Sequence, residues 1–100
     1  MYIKKLPQEP IEQLFKAILS LQTREECAAF LDDLCTMNEI KSFVQRLEVA
    51  RLLKEGNTYM DIQIETNASS STITRVKKLL DYGNNGYQTV LEHIEMNAVK

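Results

Sequence analysis

Residues 59–78 read Tyr-Met-Asp-Ile-Gln-Ile-Glu-Thr-Asn-Ala-Ser-Ser-Ser-Thr-Ile-Thr-Arg-Val-Lys-Lys. The Thr58 hydroxyl before this stretch is placed to cap a short helix, with Asp61 three residues on as its capping-box partner. Ile62 is the inward residue of that helix. Thr66-Asn67-Ala68 breaks the pattern. Asn67 falls where a tight turn needs left-handed backbone, which Asn tolerates better than any residue but Gly. The run Ser69 to Ser71 supplies an N-cap for a second helix, on which Ile73 and Val76 share a face turned back toward Ile62. The spacing thus predicts two short helices locked at a turn, with Ile62, Asn67, Ala68, Ile73 and Val76 as the nucleus. This is the pattern of a helix-turn-helix over about 59–78, a motif that lays its second helix in the major groove of DNA.

Outward from the motif, helical patterns fill the chain and no strand pattern occurs. Pro7 and Pro10 mark an extended arm and the start of a first helix, with Ile11, Leu14, Phe15, Ile18 and Leu19 as its apolar stripe. Thr23 to Glu26 forms a capping box. It opens a second helix carrying Cys27, Phe30, Leu31, Leu34 and Cys35 on one face. Thr36 to Glu39 is a further capping box. It starts a longer helix through Ile40, Phe43, Val44, Leu47, Val49, Leu52 and Leu53, which Gly56 stops. After the motif, Tyr82 to Gly86 is a turn cluster. A last helix bears Tyr87, Val90, Leu91 and Ile94, and the tail from Met96 is expected to fray. The fold class is all-α, six helices in one domain spanning residues 1–100. Three amphipathic helices ahead of a small motif leave more apolar stripe than a monomer of this length covers. Ala17 and Leu21 broaden the first stripe further. A homodimer is therefore expected, which would also present two reading helices.

With 44% hydrophobic residues, few Gly and Pro and no Trp, the composition is that of a compact helical protein, not a disordered one. The net charge of −2 does not announce a nucleic-acid binder. The average hides an asymmetry. From Glu9 to Glu39 there are seven acids against Lys16 and Arg24, whereas between Arg51 and Lys78 the bases Arg51, Lys54, Arg75, Lys77 and Lys78 outnumber Glu55, Asp61 and Glu65, so the basic surplus sits on and beside the motif. Cys27 and Cys35 sit eight residues apart on one helix, about 12 Å at 1.5 Å per residue, too far to pair. Both read as reduced, packed thiols of a cytoplasmic protein. With one His and no Cys-x-x-Cys there is no basis for a zinc site, and no cofactor is expected. His93 reads as a surface or boundary residue of the last helix, not a ligand. Met1 to Pro10 is polar, with two lysines, and does not read as a signal peptide. No apolar run reaches the ~20 residues of a membrane span.

At Ser69 to Arg75, and most sharply at Thr72-Ile73-Thr74-Arg75, the sequence resembles the Trp repressor superfamily. Leu52-Leu53 at the expected distance upstream, the long helix starting at Thr36, the helix order and the length agree. Gln45 to Ala50 and Asp81 to Tyr87 are most similar to the YerC/YecD-type branch. The resemblance implies an intertwined all-helical homodimer that binds operator DNA in the bacterial cytoplasm, associated with the nucleoid. It does not carry over the ligand. In the family an arginine matching Arg75 pairs with the carboxylate of bound tryptophan. A glycine that leaves room for the indole is replaced here by Val76, and a ligand-binding serine by Leu79. A second ligand-flanking arginine corresponds to Arg46 or Gln45, according to where a one-residue gap falls. Thr36 matches a ligand-side threonine under a similar gap. Tryptophan is not expected as corepressor, Val76 and Leu79 are expected to fill its space, and any other small effector is left open.

The residues expected to meet double-stranded DNA are Ser69, Ser70, Ser71, Thr72, Thr74, Arg75, Lys77 and Lys78. Unpaired N–H groups at a helix N-terminus attract phosphate, and short hydroxyl side chains permit close approach. Arg75 is the residue fitted to a guanine edge or a phosphate, and the lysines to flanking phosphates. Each has a plainer reading: the serines as caps, Arg75 paired with Asp61 or Glu65, the lysines as a solvated face. Tyr59 and Met60 fit packing better than phosphate contact, and Ile64 stands on an outer side that should be wet. The competing function is a protein-interaction module reusing the same fold. No constellation for catalysis is present.

Overall fold

The computed structural model describes residues 1–99. Among them are a 3-10 turn at Tyr2–Lys5 and six helices: α1 (Gln8–Ser20), α2 (Arg24–Leu34), α3 (Met37–Lys54), α4 (Tyr59–Thr66), α5 (Ser70–Tyr82) and α6 (Gly86–Val99). There is no strand among the described residues, so the all-α order read from the sequence stands. Two details differ. The arm before Pro7 closes a 3-10 turn, with Lys4 N–H bonded to the Met1 carbonyl at 3.3 Å, instead of running extended throughout. The last helix carries on through Met96 to Val99, where fraying was expected.

The chain forms two compact units, Met1–Ile40 and Lys41–Lys100. In the first, α1 starts at Gln8, and Pro10 falls in its first turn, where a missing N–H costs no helical bond. Thr23 caps α2 by accepting the Glu26 N–H at 3.0 Å, and the Glu26 carboxylate reaches back to the Gln22 N–H at 2.8 Å. The Thr36 box is reciprocal: the Thr36 N–H donates to Glu39 at 2.7 Å, and the Glu39 N–H donates to the Thr36 hydroxyl at 3.2 Å. The Thr36 N–H, with a further contribution from the Thr36 side chain, holds the Glu39 carboxyl below its usual pKa of 4.5. Neither α1 nor α2 has a buried residue, and Leu19 is 83% exposed. Of the two thiols expected to pack, Cys35 is half-buried but Cys27 is exposed, since the α2 face that carries it stays open.

The second unit contains the core. Val49, Ala50 and Leu52 of α3 pack with Ile62 of α4, Ala68 of the turn, Ile73 and Val76 of α5 and Leu91 of α6. Full burial begins only at Val49: Leu47 packs half-buried against the core, and Phe43 and Val44 earlier on α3 stay 46% and 59% exposed. α3 ends at a left-handed Gly56 (φ 89°). The Asn57 N–H bonds to the Leu52 carbonyl and the Gly56 N–H to the Leu53 carbonyl, both at 3.1 Å, the two bonds of a Schellman stop. Gly83 ends α5 for a steric reason, since a Cβ there would strike the Leu79 carbonyl. On the polar flank of α3, Arg51 bridges Glu48 (2.8 Å) and Glu55 (2.6 Å), which raises its own pKa and, through the Glu48 contact, lowers that of Glu48.

Candidate nucleic-acid interface

α4 and α5 build the motif as the spacing predicts. Thr58 caps α4 by accepting the Asp61 N–H at 3.2 Å. Among the described residues no bond returns from the Asp61 carboxylate, so this capping box is half made. Asn67 adopts the left-handed conformation (φ 60°, ψ 18°), and its N–H closes on the Gln63 carbonyl at 2.9 Å. Ser69 caps α5 by accepting the Thr72 N–H at 3.2 Å. Ile62, Ile73 and Val76 are at most 1% exposed, and Ala68 is buried beside them. Four of the five residues expected in the nucleus, Ile62, Ala68, Ile73 and Val76, form the physical centre of the motif, whereas Asn67 is exposed and serves the turn through its left-handed backbone.

This packing leaves the leading end of α5 in solvent. Ser69, Ser70, Ser71, Thr74, Arg75, Lys77 and Lys78 are all exposed, and Thr72 is half-buried. The structure separates residues of one type by what they already touch. The Ser69 hydroxyl is engaged locally, with the Ser71 hydroxyl at 3.0 Å and the Thr72 hydroxyl at 3.1 Å as further partners. Ser70 makes no side-chain hydrogen bond among the described residues. Lys77 pairs with Asp81 at 3.1 Å, one turn on, whereas Lys78 has no ion pair among the described residues. Arg75 pairs with neither Asp61 nor Glu65. It is an exposed guanidinium on α5 with no ion pair among the described residues.

A cavity of about 120 Å³ lies behind this end, lined by Arg46, Thr72, Arg75, Val76, Leu79 and Tyr87. Val76 is spent on the nucleus at 1% exposed, while Leu79, at 42%, lines the space without closing it. A small cavity thus remains where both side chains were expected to fill the site. The two candidates for the second ligand-flanking position, Arg46 and Gln45, have different surroundings. Arg46 lines the cavity, its guanidinium 5.4 Å from the Phe43 ring centroid, while Gln45 turns away to the Thr66 carbonyl at 3.2 Å. That Gln45 contact had no signal in the sequence, because its partner is a backbone carbonyl 21 residues away. Thr66 is also more than a break in the pattern: its hydroxyl donates to the Ile62 carbonyl at 2.7 Å and accepts the Ala68 N–H at 3.2 Å.

His93 is exposed. No group of acidic, His or Cys side chains among the described residues could hold a metal ion. No helix of the described residues is long and apolar enough to cross a membrane.

Known proteins share this arrangement. Residues 9–95 match the Trp repressor protein family. The chain is 56% identical over 95 residues to the uncharacterized protein YerC of Bacillus subtilis (strain 168), covering 95% of this chain and 91% of that one. Among solved structures it is similar to a candidate Trp repressor from Staphylococcus aureus, 49% identical with a TM-score of 0.91 and 95% of each chain covered. It is likewise similar to a TrpR-like protein from Eubacterium eligens ATCC 27750, 50% identical with a TM-score of 0.88, over 93% of this chain and 96% of that one. A buried helix-turn-helix nucleus, an exposed leading end of the second motif helix and near full-length matches lead to one conclusion: the chain belongs to the Trp repressor family, which comprises DNA-binding regulators and not enzymes.

Proposed function

We propose that this protein is a sequence-specific DNA-binding transcriptional regulator of the cytoplasm, acting as a homodimer through α4 and α5 without tryptophan as corepressor. The carrying observation is the exposed leading end of α5, with Arg75 and Lys78 free of ion pairs among the described residues and Ile62, Ile73 and Val76 buried behind it. Ser70 and Thr74 approach the groove, Arg75 reads a guanine edge or a phosphate, and Lys78 holds a flanking phosphate. Two copies place their reading helices on half-sites about 34 Å apart. The apolar faces of α1, α2 and the start of α3, exposed in one chain, meet their counterparts across that dimer. Val76 in the position of the family's ligand-side glycine argues against an indole, and the small cavity beside Arg46 leaves any other effector open.

The test is selection of bound sequences from random duplex DNA, with the Arg75→Ala protein in parallel. A consensus with two half-sites for the wild-type chain, lost or relaxed in R75A, supports the reading. Four to six phosphate contacts per dimer predict a log–log salt slope of roughly −4 to −5. A flat salt profile rules out groove binding. Saturable thermal stabilisation by tryptophan would remove the corepressor-free part. A second reading, a protein-interaction module, draws on Met60 and Ile64, which are 70% and 77% exposed on the side of α4 opposite Ile62. It predicts activity that survives replacement of Arg75, Lys77 and Lys78 by Ala.

A further inference from the structure

The apolar nucleus beneath α5 is non-directional, so by itself it permits the helix to rock. Direction comes from a short polar chain at the turn. Gln45 on α3 donates its side-chain amide to the Thr66 carbonyl at 3.2 Å, in the only side-chain hydrogen bond among the described residues that spans more than eight positions. That carbonyl belongs to the last turn of α4, where helical partners run out. The Thr66 hydroxyl donates to the Ile62 carbonyl and accepts the Ala68 N–H. Ala68 is 4% exposed, so its amide has little access to water in place of that bond, and α5 begins two residues later. The turn is therefore tied to α3 and α4 by directed bonds on both sides of the left-handed Asn67.

We propose that Gln45 and Thr66 are positioning residues that preset the angle of α5 against α3, so that the reading helix is ready for the groove before any ligand or DNA arrives. The inference rests on the DNA-binding reading above. A helix that samples several angles binds with an affinity reduced by the fraction of time spent in the right one, and preorganisation removes that loss. Arg46 and Gln45 divide the work: one arginine faces the cavity, while its neighbour holds the turn. Orientation built into the turn is what a regulator without a corepressor requires.

The experiment compares wild type with Gln45→Met, which keeps length and flexibility but removes the donor, and with Thr66→Val and Thr66→Ser. Binding to the selected duplex is measured against salt, and amide exchange is followed at Ala68 and at Leu91, the latter a core position in α6. Q45M and T66V are expected to bind roughly three- to tenfold more weakly, the change set by one neutral hydrogen bond. The salt slope stays at the wild-type value, since the same phosphates are met once the helix docks. Ala68 exchanges faster while Leu91 keeps its rate, and T66S restores both affinity and Ala68 protection. Unchanged affinity in Q45M and T66V overturns the proposal. So does faster exchange at Leu91 with a lower melting midpoint, which would mark a general loss of stability. If wild type binds no duplex while Ala68 still responds as expected, the DNA reading fails and the brace is a folding device alone, which also overturns the positioning role.

Discussion

Lys77 and Lys78 are adjacent, identical in type and both exposed, yet their surroundings assign them different roles. Lys77 already has Asp81 at 3.1 Å, one turn along the helix, whereas Lys78 has no such partner among the described residues. An exposed i,i+4 pair contributes little to stability, about 0.3–0.5 kcal/mol, but it places a negative charge beside any phosphate that Lys77 would approach. Lys78→Ala is therefore expected to lower the steepness of the salt dependence by about 1 per protomer, and Lys77→Ala by less. Equal slopes for both variants, measured by DNA titration over a salt series, would contradict this division. Ser69 and Ser70 differ in the same way. Ser69→Ala removes a helix cap and costs about 1 kcal/mol of stability in denaturant unfolding, while Ser70→Ala, with no cap to lose, leaves stability near wild type. At this scale the sequence showed which residue types were present and could not show which were already engaged. Spacing offers Asp81 to Lys77, but that this pair forms, and that hydroxyls surround Ser69, became visible only with coordinates.

Helix boundaries were legible because their signals are local. Thr23, Thr36, Thr58 and Ser69 each cap the helix expected of them, and Asn67 and Gly56 take the left-handed conformation their turns require. The start of α3 also has a pH signature. The Thr36 bonds hold the Glu39 carboxyl below 4.5, and Arg51 does the same for Glu48 further along the helix. A carboxyl whose folded-state pKa is depressed stabilises fully above its unfolded pKa, and that contribution is lost as pH falls through the folded value. Helical stability is therefore expected to hold from neutrality down to the ordinary carboxylate range and to decline below it. Glu39→Gln keeps an acceptor for the Thr36 N–H but has no proton to take up. Its acid limb, followed by circular dichroism in denaturant at stepped pH, should be shallower than that of wild type. An unchanged limb would mean that the box contributes no proton linkage. Burial along α3 was less legible: Phe43 and Val44 continue the same apolar pattern as Leu52, yet among its apolar residues only those from Leu47 onward pack against the core.

For the whole molecule, the apolar surface left open is the main expectation still to be met. Leu19, Leu34, Phe43, Val44 and Val90 are each at least 46% exposed, in a chain whose α1 and α2 bury no residue. A second copy that covers such faces couples folding to association, so the melting midpoint should rise with protein concentration and sedimentation should report twice 11.5 kDa. Val44→Asp, at a site 59% exposed in the single chain, should produce a monomer that no longer binds the duplex. A V44D protein that remains dimeric would exclude this face from the contact. The sequence by itself determined the helices, their caps and the Ile62–Ile73–Val76 nucleus, because periodicity, capping and left-handed turns act over three or four residues. Only the tertiary structure decided that Gln45 braces the turn while Arg46 faces the cavity. Only it decided that Leu79 stays half open. Those outcomes depend on where a side chain ends in space, on contacts that residue type and spacing alone do not specify.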